Sequence, residues 1–103
     1  MTYGKTWLNK HGHASGRVFE IVNISTGDSY IGHTTMPIKK RLYQAITAAN
    51  TGRNGLLYDN IREYGKESFD VRILYECSFE EDVLKKEKEY IKIVQPTLNK
   101  NIF

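Results

Sequence analysis

The period of polar and apolar positions shifts repeatedly along this chain, and each shift marks an element. Residues 1–16 are polar, contain glycine and show no periodicity, so they read as an N-terminal arm. Arg17-Val18-Phe19-Glu20-Ile21-Val22 is rich in β-branched and aromatic residues and predicts a strand. Ile24 to Asp28 carries Gly27 and predicts a turn, after which Ser29 to His33 reads as a second strand closing a hairpin. Thr34-Thr35-Met36-Pro37 predicts a helix entrance, with threonine as cap and proline in the first turn. From Ile38 the apolar positions Leu42, Ala45, Ile46 and Ala49 recur at helical spacing until Asn50 to Gly55 breaks the pattern. A second helix is expected over Leu56–Tyr64, stopped by Gly65, and a third strand over Phe69–Tyr75. Ser78 and Glu81 form a capping box for a final helix, Phe79 to Val94, which Gln95 to Asn99 terminates. The order β-β-α-α-β-α predicts an α+β domain, a small and mainly antiparallel three-stranded sheet flanked by helices.

The final helix breaks its own pattern at one position. Val83, Leu84, Tyr90, Ile91 and Val94 form its apolar stripe, and Glu87 falls in the middle of it. Residues three and four apart share a helix face, so Glu87 is expected to point at the domain body. An ionised carboxylate there needs a cation, either a Lys or Arg from a neighbouring element or a bound metal. Periodicity leaves both open, together with a purely structural ion pair. Arg41 on the first helix lies at the flank of its apolar face beside Ala45, a position suited to a partly enclosed anion such as a phosphate, although charged residues on helix flanks are usually just solvated. Lys39 and Lys40 point further outward.

Composition narrows the class without naming it. The 103 residues have room for one compact domain, with 40% hydrophobic and 26% charged residues. No apolar run approaches the ~18 residues of a membrane span, and the N-terminus lacks a secretory core. A lone cysteine, Cys77, excludes an internal disulfide framework and suits a reducing, intracellular setting, whether cytoplasmic or a host cell. His11 and His13 make an H-x-H pair too small to complete a metal site. The net charge of +3 and pI near 9.0 favour an anionic partner only weakly, so a case for nucleic acid rests on particular residues.

Those residues resemble the GIY-YIG nuclease superfamily, including its free-standing phage and viral members related to homing endonucleases. Tyr30-Ile31-Gly32 matches the second motif without change, Arg41 stands in the K-R-L setting of the helical arginine, Glu87 lies in an E-x-x-Y-I setting, and Asn99 falls where the late asparagine belongs. Leu57 to Gly65 resembles a helix of the free-standing members. The match runs from about Arg17 to Asn99, so residues 17–103 are expected to be the nuclease domain. Two positions depart from the pattern. Arg17-Val18-Phe19 replaces the first motif, with Phe19 where a tyrosine is usual, and Ala45 stands where the family often has His or Tyr. His33, next after Gly32, is a polar residue placed to compensate, or an ordinary surface histidine.

The resemblance implies a metal-dependent endonuclease that hydrolyses phosphodiester bonds in DNA, with RNA left open. It implies one divalent cation, Mg²⁺ or Mn²⁺, on Glu87, with Arg41 on the scissile phosphate and Asn99 orienting the site. Tyr30, His33 and Phe19 complete the catalytic set, and Phe19 cannot serve as a base. Lys39, Lys40, Arg53 and Lys66 are the candidate contacts to the nucleic-acid backbone. The alternative is a nucleic-acid-binding module of the same fold whose cutting is impaired by Phe19 and Ala45. An unrelated α/β interaction protein would need Glu87 paired away from any cleft. With no separate DNA-reading region in the sequence, recognition is expected to rest on a homodimer, a targeting partner, or nucleic-acid structure.

Overall fold

The computed structural model describes residues 16–77 and 80–99. Strands β1 (Gly16–Asn23) and β2 (Ser29–Thr34) are followed by helices α1 (Ile38–Asn50) and α2 (Leu56–Tyr64). A 3-10 turn over Lys66–Ser68 leads into strand β3 (Phe69–Cys77) and then helix α3 (Glu80–Val94). The expected element order is observed. The N-terminal arm with its His11-x-His13 pair, and Ser78 of the expected capping box, lie outside the described residues.

All three strands are antiparallel, and β1 lies between β2 and β3. Its central place explains its composition, because a strand buried on both faces needs apolar side chains at successive positions. Phe19 and Ile21 point to one face and join Ala45 and Ala49 of α1, Leu57 and Ile61 of α2, Phe69 and Leu98. Val18 points to the other and joins Ile31 of β2 with Val83 and Ile91 of α3. The sheet therefore separates two small cores. Phe19 and Ile21 are fully buried, and each contributes about 1.5–3 kcal/mol through burial.

Local expectations fail in three places. No threonine caps α1: Pro37 occupies the cap position without a side-chain bond, and the Thr34 hydroxyl accepts from the Met36 amide at 3.0 Å instead. Proline's fixed φ sets the entry and leaves no N–H to satisfy. Val94, expected in the stripe of α3, is the last residue of that helix and 42% exposed. The register of β1 with β3 also shifts between Val18 and Phe19: Val18 faces Tyr75 while Phe19 faces Ile73. The unmatched Leu74 turns its carbonyl to the Tyr90 hydroxyl, which donates to it at 3.0 Å. Such a bulge bends the edge strand and blunts its unpaired groups.

Buried polar contacts set the remaining angles. Asn23 is fully buried, donates to Asn60 of α2 at 2.8 Å and accepts from the Ser25 amide, tying α2 to the hairpin turn. Gly27 takes φ 83° in that turn, as its sequence position suggests. Glu20 is buried on β1 and answered by Arg72 of β3 at 2.7 Å. No helix among the described residues is long and apolar enough to cross a membrane.

Candidate functional site

Gly32 is the hinge of the site because its missing side chain makes room for its neighbours. It faces Phe19 across the β1–β2 pair. A Cβ at position 32 would stand 2.8 Å from Cζ of Phe19 and 3.0 Å from Cε2 of Tyr30. The Phe19 and Tyr30 rings therefore close over the glycine, their centroids 6.2 Å apart and tilted by 40°. The Arg41 guanidinium from α1 sits above the Phe19 ring, 5.3 Å from its centroid. A face-on cation of this kind is held by the ring quadrupole while its N–H edge is left for an anion. Phe19, Tyr30 and Arg41 share the face of the sheet covered by α1 and α2.

Glu87 approaches from the other face. Its side chain is 20% exposed, and Oε1 lies 2.8 Å from Nδ1 of His33. Among the described residues the side chain that meets this carboxylate is thus neither Lys nor Arg but the histidine directly after Gly32. Strand alternation accounts for this: Tyr30 and Gly32 face α1, whereas Ile31 and His33 face α3. The two half-sites meet at β2. Burial raises the Tyr30 phenol above its ordinary value; Arg41 pulls it back, and the charges of Tyr58 and Glu87 add to the rise. Tyr30 thus feels Arg41 and Glu87 together and keeps its proton at neutral pH.

Asn99 completes the frame from outside. Its Oδ1 accepts from the Ile31 amide at 2.7 Å and its Nδ2 donates to the Ile31 carbonyl at 2.8 Å. One side chain thereby satisfies both outward groups of the central residue of the Tyr30-Ile31-Gly32 run, which β1 leaves unpaired at the sheet edge. Leu98 N–H donates to the Ser29 carbonyl at 2.9 Å, and the Thr97 hydroxyl donates to Asp28 at 2.7 Å. The C-terminal segment is laced along β2, and Asn99 ties it to the middle of that strand.

The four expected backbone contacts separate. Arg53 lies at the far end of a groove along α1 that begins at Arg41. Lys40 shares a helix face with Gln44 and Thr47, and Lys39 with Tyr43, all three of which line that groove. Lys66, in the 3-10 turn, does not line it. Sequence reasoning missed Tyr58 and Tyr43 in the same groove, and Arg17, which donates to the Met36 carbonyl and pairs with Glu76 at 2.7 Å. The charge of Arg17 at the start of a mostly apolar strand was the available signal.

The donor set decides what cation these residues could hold. Among the described residues, no three His, Cys, Asp or Glu side chains converge on one point. A fully enclosed ion is therefore not served. A single carboxylate with one oxygen engaged and the other uncommitted suits a hard divalent cation that keeps its waters and takes phosphate oxygens.

Comparison with known proteins agrees with this geometry. The profile of the GIY-YIG catalytic domain matches residues 15–101. The catalytic domain of the homing endonuclease I-TevI is structurally similar, with a TM-score of 0.69 at 21% identity over 82% of this chain and 92% of that one. A glutamate-to-alanine form of that catalytic domain gives 0.68 at 20% identity, over 79% of this chain and 84% of that one. A search of curated proteins gave no significant match.

Proposed function

The chain belongs to the GIY-YIG nuclease superfamily, and from that premise we propose that it is a metal-dependent endonuclease hydrolysing phosphodiester bonds in DNA. The observation that carries this reading is the convergence at Gly32: Arg41 over Phe19, Tyr30 within electrostatic reach of both Arg41 and Glu87, and His33 bonded to Glu87. Phe19 and Tyr30 meet in the core for packing, but packing gives Arg41, His33 and Glu87 no reason to gather beside them.

Each side chain then has a definable task. Arg41 clamps the non-bridging oxygens of the scissile phosphate, and its stacking on Phe19 holds the guanidinium in one plane. Tyr30, protonated at neutral pH, donates a hydrogen bond and orients the attacking water or the phosphate. Its phenol is raised by burial, so service as a base would need the nearby Arg41 or a bound metal to draw off its proton. Glu87 directs the His33 ring through Nδ1, and in the tautomer with Nδ1 protonated the opposite ring nitrogen accepts a proton from water. Glu87 also supplies the carboxylate for one Mg²⁺ or Mn²⁺, which when bound would neutralise charge on the phosphate and the leaving oxygen. Asn99 acts through Ile31 by fixing the strand that carries Tyr30 and His33. Phe19 contributes its ring and no hydroxyl.

We assign this activity to a domain beginning near residue 17, in an intracellular setting, with targeting supplied by a second copy or a separate partner. The test is nicking of supercoiled plasmid and branched DNA with Mg²⁺ or Mn²⁺, beside Glu87→Ala and His33→Ala. Metal-dependent cutting that disappears in Glu87→Ala is the expected result. Absence of cutting by the unaltered chain on every substrate would overturn the enzyme reading in favour of a binding module, for which the missing Phe19 hydroxyl is the supporting observation.

A further inference from the structure

One groove of this molecule starts at Arg41 and is otherwise lined by residues that have no role in the chemistry just described. It runs along the outer flank of α1, encloses about 590 Å³, and is bounded by Arg41 at one end and by Arg53 and Tyr58 at the other, with Tyr43, Gln44 and Thr47 along its length. No carboxylate of the described residues lines it. At a rise of ~1.5 Å per residue, α1 extends about 14 Å beyond Arg41, the span of roughly four stacked nucleotides at ~3.4 Å each.

The far end is built rather than incidental. Arg62 donates to the Ala49 carbonyl at 2.7 Å and the Arg53 carbonyl at 2.9 Å, which pins the turn between α1 and α2. Gly55 at φ 145° brings the chain past Tyr58, whose ring lies 3.1 Å from where a Cβ of residue 55 would stand. The Arg53 guanidinium rests over the Tyr58 ring at 5.8 Å and makes no salt bridge to a described residue. Tyr43 is 70% exposed, a large ring facing solvent at the groove wall. Cationic ends, neutral polar walls and an exposed aromatic ring match an unpaired nucleic-acid strand, in which phosphates meet guanidiniums and bases stack on rings. A continuous duplex would use the charges and leave Tyr43 idle.

We infer that the α1 groove binds an unpaired nucleic-acid strand next to the scissile phosphate, with Arg53 on its backbone and Tyr43 stacking on a base. This rests on the nuclease reading, since it extends from Arg41. It makes the enzyme favour branched or frayed substrates over intact duplex.

The experiment is fluorescence anisotropy of the full chain, with chelator present so that nothing is cut, using a labelled short single strand and the matching duplex. Single strand is expected to bind more tightly than duplex. Tyr43→Ala is expected to weaken single-strand binding about tenfold and leave duplex binding within about twofold. Arg53→Gln is expected to weaken single-strand binding and reduce the log–log salt slope by about 0.7. Lys88→Gln, on the exposed side of α3, controls for lost charge. The inference is overturned if Tyr43→Ala leaves single-strand binding unchanged or weakens both forms alike. It fails equally if Arg53→Gln behaves like Lys88→Gln, or if neither form of nucleic acid binds. Binding is read without cleavage, so the two readings fail separately. A chain that cuts but binds independently of Tyr43 and Arg53 loses only the groove, and one that binds through them but never cuts loses only the nuclease.

Discussion

Replacing Gly32 by alanine should destabilise the domain, although in most strands that exchange helps. Gly32 is not in the left-handed region, so alanine can adopt its backbone conformation. Reduced chain entropy in the unfolded state would then favour alanine by roughly 0.5–1 kcal/mol. Against this stands the space. The new methyl would lie 2.8 Å from Phe19 Cζ, 3.3 Å from Phe19 Cε2 and 3.0 Å from Tyr30 Cε2, where carbon atoms ordinarily rest ~3.5–4.0 Å apart. Phe19 is fully buried and pressed between the strand pair and the Arg41 guanidinium, so its ring has little room to retreat. Overpacking of this kind costs about 1–3 kcal/mol, and the clash outweighs the entropy gain. A net loss of about 1–2 kcal/mol should lower Tm by about 4–16 °C in a domain of this size. The decisive assay is a double-mutant cycle read by urea unfolding of wild type, Gly32→Ala, Phe19→Leu and the pair. Phe19→Leu alone should cost roughly 1–2 kcal/mol through the cavity it leaves, but it also removes the two Phe19 atoms that the methyl meets and leaves only the Tyr30 contact. The double variant should therefore be more stable than the sum of the singles by about 1–2 kcal/mol. Additivity within about 0.5 kcal/mol would refute the claim that Phe19 occupies the space of the missing side chain.

Further outcomes follow from the same geometry. Asn99→Ala should lower stability by about 2–3 kcal/mol, because the Ile31 amide and carbonyl lose their partners together; hydrogen exchange should accelerate at Ile31 first, and protection equal to wild type would show that the C-terminal segment does not close the strand edge. Phe19→Tyr should raise the cleavage rate if the added hydroxyl reaches the Arg41 and Tyr30 side of the cleft, whereas lost stability with no gain in rate would mean the buried hydroxyl is unpaired. Tyr30 has a raised folded value, so it favours the native state below the ordinary tyrosine value near 10, and that contribution is lost as pH rises toward the folded value. Tyr30→Phe should flatten this alkaline decline, and an unchanged profile would contradict it. Asp28 has the opposite sign: hydrogen bonds from Thr97, then Thr26, hold its carboxyl below the ordinary 3.8. Its contribution is present above that value and is lost as pH falls through the folded one, so Thr97→Val should weaken the acid dependence of C-terminal docking, measured by amide exchange at Leu98.

Local pattern along the chain was sufficient for the elements, for the inward aim of Glu87 and for the flank position of Arg41. Periodicity is a one-dimensional record of which side of an element meets the core, and a carboxylate inside an apolar stripe stands out without any knowledge of its surroundings. What answers that carboxylate was decided elsewhere. His33 lies 54 residues away from Glu87 and faces it only because strand alternation sends it to the α3 side of β2. Asn99 meets Ile31 across 68 residues because the C-terminal segment returns along the outer edge of β2. Arg41 and Arg53 bound one groove because Arg62 pins the turn that joins α1 to α2. The register shift at Phe19, which no residue type announces, aligns β1 with β3. Side-chain periodicity is written into neighbouring residues, whereas register and pairing come from many weak contacts summed over distant segments. The tertiary structure alone therefore selected which half-sites came together.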